Sequence, residues 1–126
     1  MRVGYALGPA RVIEWLRTAG QPYPVASVAA RMALACLKEA GTESAARIER
    51  VKREREELSR VIRGLGGKTT RSQANFVFAT LRDAGLVRDV LAGLGISVRA
   101  FGGELARTLR ITCPGDAAAF ERLVDA

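Results

Sequence analysis

Thr108-Leu109-Arg110-Ile111-Thr112 sets one guanidinium inside a strand-like alternation. A period of two sends Leu109 and Ile111 to one face and Arg110 to the other, so a core on the first side would hold the arginine rigidly. Its planar fork can grip a carboxylate with two parallel hydrogen bonds, which a lysine does less well. Arg99, in Ser97-Val98-Arg99-Ala100-Phe101, ends a second strand-like run and offers another anion contact. Asn75, in Ala74-Asn75-Phe76, is an amide that suits either a turn or a ligand. The chain has no histidine, so any proton transfer within it would fall to a lysine or a carboxylate. Cys36 and Cys113 form no C-x-x-C pair, which argues against a zinc site and for two reduced thiols.

Positioning these groups requires a small sheet. ANFVFATL, ISVRAF and TLRIT read as strands, and GLVRDVLAGLG as an amphipathic helix with Leu86, Val87, Val90, Leu91 and Leu94 inward. Asp116 caps a last helix through Phe120, Leu123 and Val124. Strand, helix, strand, strand, helix predicts an α+β domain with helices packed on one side of its sheet. Upstream, MRVGYALG alternates Val3, Tyr5 and Leu7 as an opening strand that this chain alone is expected to leave unpaired, with Tyr5 and Tyr23 as packing residues. PARVIEWLRTAG is a short helix ended by Gly20, and VASVAARMALACLKEAG a second with Val25, Val28, Ala29, Met32, Ala35, Cys36 and Leu37 on one face. A third helix runs from a Thr42 cap to about Gly64. Its seam reads Ile48, Val51, Leu58, Ile62, Leu65, interrupted by Arg55, whose stem is expected to lie along the core while its head reaches solvent. Lys68 is expected in a turn.

The chain has 126 residues, 48% hydrophobic and 26% charged, which suits one ordinary globular domain with its own core. No apolar run approaches the ~18 residues of a membrane span, and the first residues lack the pattern of a signal peptide, so a cytoplasmic location is expected. The net charge of +7 would suit an anionic ligand or a nucleic acid. Much of the basic charge lies in RIERVKREREELSRVIR, where Glu43/Arg47, Glu49/Arg53, Arg50/Glu54 and Lys52/Glu56 stand four apart and can pair along one helix. Its arginines are not interleaved with stacking aromatics, which favours a solvated helix face over a nucleic-acid stripe.

Taken in order, RVGYALG, a Pro-Tyr-Pro segment, two helices, SQANFVF, GISVRAF and TLRIT resemble the C-terminal part of the histidinol-phosphate aminotransferases, within the fold-type I pyridoxal-phosphate enzymes of class I/II. The resemblance covers essentially the whole chain and rests on the ordered set rather than on one motif. It implies residues 1–24 as the end of a large cofactor domain, 25–66 as connecting helices and 67–126 as the small α+β domain. It implies that Arg2 contacts the phosphate of pyridoxal 5'-phosphate, Arg110 the substrate carboxylate and Arg99 the phosphate of histidinol phosphate, with Asn75 near the substrate end.

The same resemblance implies transamination between histidinol phosphate and 2-oxoglutarate in histidine biosynthesis by a homodimer. The Schiff-base lysine would precede the Arg2 segment, and Lys38, Lys52 and Lys68 match no such position. The chain is therefore expected to be a fragment, inactive alone. An alternative is a free-standing basic α+β module that binds RNA or a protein through the arginine-rich helix.

Overall fold

The computed structural model describes residues 3–21 and 24–126. Arg2, expected at the cofactor phosphate, and Tyr23 lie outside the described residues. Two compact units divide the chain, Met1–Glu43 and Ser44–Ala126.

In the first unit, residues 3–9 form no strand, and Tyr5 and Leu7 are exposed. Their alternation suits a sheet, but no other segment of the described chain pairs with them, and an unpaired ladder leaves its N–H and C=O groups to water. Pro9 caps helix α1 (Ala10–Ala19) with its carbonyl, which accepts from Val12 N and Ile13 N, and Gly20 closes it. Helix α2 is Ser27–Glu39. Neither helix buries a residue: Trp15, Leu16, Met32 and Leu37 are all exposed. Of the apolar face expected on α2, Val25, Val28, Met32 and Leu37 are exposed.

The second unit is built on a four-stranded antiparallel sheet of order β1-β2-β4-β3, with β1 at Lys68–Thr69, β2 at Phe76–Thr80, β3 at Arg99–Ala100 and β4 at Thr108–Thr112. Helix α3 (Thr42–Gly64) precedes the sheet, α4 (Ala84–Gly93) follows β2, and α5 (Ala117–Val124) follows β4. Val77, Ala79, Leu109 and Ile111 point to one face of the sheet and pack with Leu58 and Ile62 of α3, Leu81, Ala84 and Cys113. One face is therefore a core and the other is open, the expected α+β arrangement. Asp83 and Asp116 cap α4 and α5 by accepting from Leu86 N and Ala119 N, each at 2.9 Å.

Several expectations are corrected. Lys68 lies on the edge strand β1 rather than in a turn, because Gly66, at φ +78°, turns the chain back so that Lys68 and Thr69 pair with Thr80 and Ala79. The run ISVRAF contributes only Arg99–Ala100 to the sheet. On α4, Leu86, Val90 and Leu94 are exposed and only Leu91 and Ala84 are buried, since a ten-residue helix over a narrow sheet covers one stripe. In the α3 seam Leu58 and Ile62 are buried and Ile48 and Leu65 exposed, as expected for part of this face, with Leu65 lining an apolar groove that Leu86 and Val90 of α4 border.

The helix charges also pair differently. Lys52 pairs with Glu49 and Arg60 with Glu57, three residues apart, instead of the i,i+4 couples expected with Glu56 and others. Lys52's hydrogen bond and charge, with Arg53's charge adding less, hold the Glu49 carboxyl below its usual range. Arg50 and Glu54 are not partners on the surface. Arg50 Nη1 donates to Gly115 O at 3.2 Å, and Glu54, only 4% exposed, accepts from Gly115 N at 2.8 Å. Arg55 does not reach for solvent; its Nη1 donates to Ala74 O at 2.8 Å. Three side chains of α3 thereby tether the backbone at the entry to β2 and the exit of β4.

Three measurements check this packing. Leu109→Ala should cost about 2–5 kcal/mol in chemical denaturation, as expected for a cavity at a fully buried site. Gly67→Ala should cost roughly 1–3 kcal/mol, because an added Cβ would stand 2.7 Å from Ile62 Cγ2 and 2.8 Å from Leu81 Cδ2 in the core.

Burial, reinforced by the Glu54 charge and opposed by that of Arg55, pushes the Cys113 thiol up from 9.0 to about 11. The folded form then holds its proton more tightly than the unfolded form. The stabilisation is complete below pH 9, declines as the unfolded thiol ionises, and is lost as pH passes 11. A thiol-reactive disulfide reagent at pH 8 should accordingly modify exposed Cys36 and reach Cys113 only after unfolding. Equal rates at both would overturn the packing assigned to Cys113.

Candidate functional site

The open face of the sheet follows from the strand registers. β2 and β4 pair Phe76 with Thr112 and Phe78 with Arg110, while β3 pairs Arg99 with that same Arg110. Directly opposed residues share a face. The two arginines singled out by sequence thus stand side by side on neighbouring strands, opposite the face that carries Leu109 and Ile111. Both are exposed.

Aromatic rings flank them. The Arg110 guanidinium carbon lies 5.4 Å from the Phe76 ring centroid and that of Arg99 6.0 Å from Phe101. Phe78 and Phe101 meet with centroids 5.4 Å apart and planes tilted by 59°. Rings at these positions restrain the guanidinium planes and exclude water from one side of each. Like charges placed opposite each other in a sheet repel, and among the described residues neither arginine has a carboxylate partner in an ion pair. An anion bound between them would turn that repulsion into two attractions.

Asn75 lies elsewhere on the sheet. It precedes β2, its backbone carbonyl accepts from Cys113 N at 2.8 Å, and it lines a cavity of about 460 Å³ at the strand ends beside α3. Thr112, the open-face partner of Phe76, borders the same cavity. Cys113, opposite Asn75, is three residues beyond Arg110 on its strand, on the order of 10 Å along it. The structure therefore brings Arg99 and Arg110 together and sets Asn75 at the sheet's end, with no contact to either.

Sequence reasoning did not single out Phe76, Phe78 and Phe101. A legible signal existed: Phe76, Phe78 and Arg110 all fall on the polar phase of their strands, where a large ring needs a reason. Glu54 was equally missed as a buried group, because its i,i+4 partner Arg50 made it look like half of a surface pair. Among the described residues, no three side chains of metal-ligating type form a cluster, and no helix is long and apolar enough to cross a membrane.

The family model for aminotransferases of class I and II matches residues 1–126. The chain is 36% identical over 115 residues to a histidinol-phosphate aminotransferase of Caldanaerobacter subterraneus, covering 89% of this chain and 32% of that protein. It is 38% identical over 101 residues to an aromatic amino acid aminotransferase of Corynebacterium glutamicum, covering 80% of this chain and 28% of that one. In structure it resembles a protein of Burkholderia pseudomallei assigned as an aminotransferase, with a TM-score of 0.70 at 24% identity over 94% of this chain and 36% of the other. The chain spans about a third of the length of these relatives. With the family model matched from end to end and the fold shared, the chain belongs to the aminotransferases of class I and II.

Proposed function

We propose that this chain is the substrate-binding, C-terminal portion of a pyridoxal-phosphate-dependent aminotransferase. Residues 67–126 form its small domain, 25–66 its connecting helices, and 1–24 the end of the cofactor domain. The observation that carries the reading is the Arg99–Arg110 pair on an open face with phenylalanines beside it. Two adjacent guanidiniums suit both halves of one reaction. A 2-oxo acid such as 2-oxoglutarate places a carboxylate on Arg110, and histidinol phosphate, which has a phosphate ester and no carboxylate, places its dianion across the pair.

The described residues do not by themselves provide a seat for the cofactor. Lys38, Lys52 and Lys68 are all exposed and Lys52 is paired with Glu49, whereas a Schiff-base lysine needs an enclosed site that keeps its amine available. Pyridoxal phosphate, when bound in the complete enzyme, supplies the electron sink for amino transfer. The role of this chain is to hold and orient the substrate anion. β4, paired on both edges, keeps Arg110 from swinging away, and the phenylalanine rings shield the bound anion's contacts from water. Arg2 at the cofactor phosphate and Asn75 near the substrate belong to the same proposal, as do the homodimer and a cytoplasmic role in histidine biosynthesis.

The aromatic amino acid aminotransferases among the relatives supply a second substrate reading, favoured by the half-buried rings of Phe76, Phe78 and Phe101 around the arginines. In the full-length enzyme, kcat/KM for histidinol phosphate should exceed that for phenylalanine by at least tenfold; equal values would overturn the histidinol-phosphate assignment. There Arg110→Ala should lower kcat/KM by about 10–100-fold, the loss expected for a charge-assisted hydrogen-bond pair. The isolated 126-residue chain, mixed with pyridoxal phosphate and both substrates, should show no transamination. Turnover by the chain alone would overturn the assignment of the chemistry to the remainder of the enzyme.

A further inference from the structure

A second concave region lies apart from the arginine pair. The C-terminal half of α3 and the segment 69–73 line an open cleft of about 530 Å³ that includes Arg55, Arg60, Arg63 and Arg71 and one lining carboxylate, Glu56, with Arg60 also paired to Glu57 on the helix. Every side chain lining it is polar or charged. Two of the guanidiniums are already fixed, Arg63 Nη1 by donating to Thr69 Oγ1 at 3.1 Å and Arg55 Nη1 by donating to Ala74 O at 2.8 Å. Donors held before a ligand arrives lose less freedom on binding it. Arg71 makes no hydrogen bond or ion pair from its side chain among the described residues.

The chemistry of the lining selects the ligand. Guanidiniums beside the hydroxyls of Ser59 and Thr70 are oxyanion donors, and no apolar or aromatic side chain is among the lining residues. Arg55 and Arg63 are eight residues apart, about 12 Å of helix at 1.5 Å per residue. That span exceeds a single phosphate and matches two phosphates separated by a small polar body. We propose that this cleft binds a bisphosphorylated small molecule, at a site that includes neither Arg99 nor Arg110. The proposal does not rest on the aminotransferase reading.

Isothermal titration of the 126-residue chain at about 0.1 M salt, with fructose 1,6-bisphosphate as the probe, tests it. Wild type should bind this probe at least tenfold more tightly than orthophosphate. Arg71→Gln and Arg60→Gln, both exposed positions, should each weaken binding several-fold and together at least tenfold, with the circular dichroism spectrum and melting temperature unchanged. Arg53→Gln, an exposed position on the same helix outside the cleft, should leave it unaltered. No binding by wild type, or binding that the cleft variants spare, would overturn the proposal. So would displacement of the probe by an equal concentration of duplex RNA, which would assign the cleft to nucleic-acid phosphates instead.

Discussion

The antiparallel ladder between β2 and β4 is the constraint on which the second unit depends. It pairs five residues with five, from Phe76 opposite Thr112 to Thr80 opposite Thr108. It also places Val77, Ala79, Leu109 and Ile111 together under the helices. A slip of one residue would exchange faces, burying Arg110 and exposing Leu109. The apolar side chains that prefer the core and the arginine that must avoid it thus enforce the same register. Orientation of Arg110 is a by-product of the hydrophobic effect, and it is as rigid as the core that sets it.

Helix α3 reinforces the ladder at its ends. Arg55 on Ala74 O and the Arg50 and Glu54 contacts to Gly115 join the long helix to the backbone where β2 begins and shortly after β4 ends. Burying charged side chains is costly unless their hydrogen bonds are made. Glu54 meets that condition with one oxygen only, since Oε1 has no partner among the described residues. Its proximity helps push the Cys113 thiol up to about 11 and keep it protonated, so the same carboxylate that ties the loop to the helix makes the neighbouring cysteine chemically quiet.

Excess positive charge is distributed unevenly over this frame. Lys52 lies against Glu49 on the outer surface of α3, and Arg60 pairs with Glu57 beside the cleft. Arg99 and Arg110 stand together on the open face, and four arginines share the cleft at the sheet's β1 edge. A formal charge of +7 spread over a surface would suit nonspecific attraction to polyanions. Gathered into two concave or ring-flanked places, it suits small anions whose size and valence can be discriminated.

Much of this was written locally. TLRIT specified its strand, its buried pair and the outward direction of Arg110, and Asp83 and Asp116 marked their helices, because period-two alternation and capping depend on neighbours in the chain. The order of segments also sufficed to recognise the family. Local pattern misled where the outcome depended on partners: Leu86, Val90 and Leu94 repeat like a buried face but are exposed, Leu86 and Val90 on an apolar groove that α3 and α5 also line. Only the tertiary structure decided that Arg99 faces Arg110, that phenylalanines flank both, that Glu54 is buried on Gly115, and that Arg71 joins three arginines of α3. Each of these joins residues distant in sequence, and such contacts are set by strand register and helix packing rather than by local propensity.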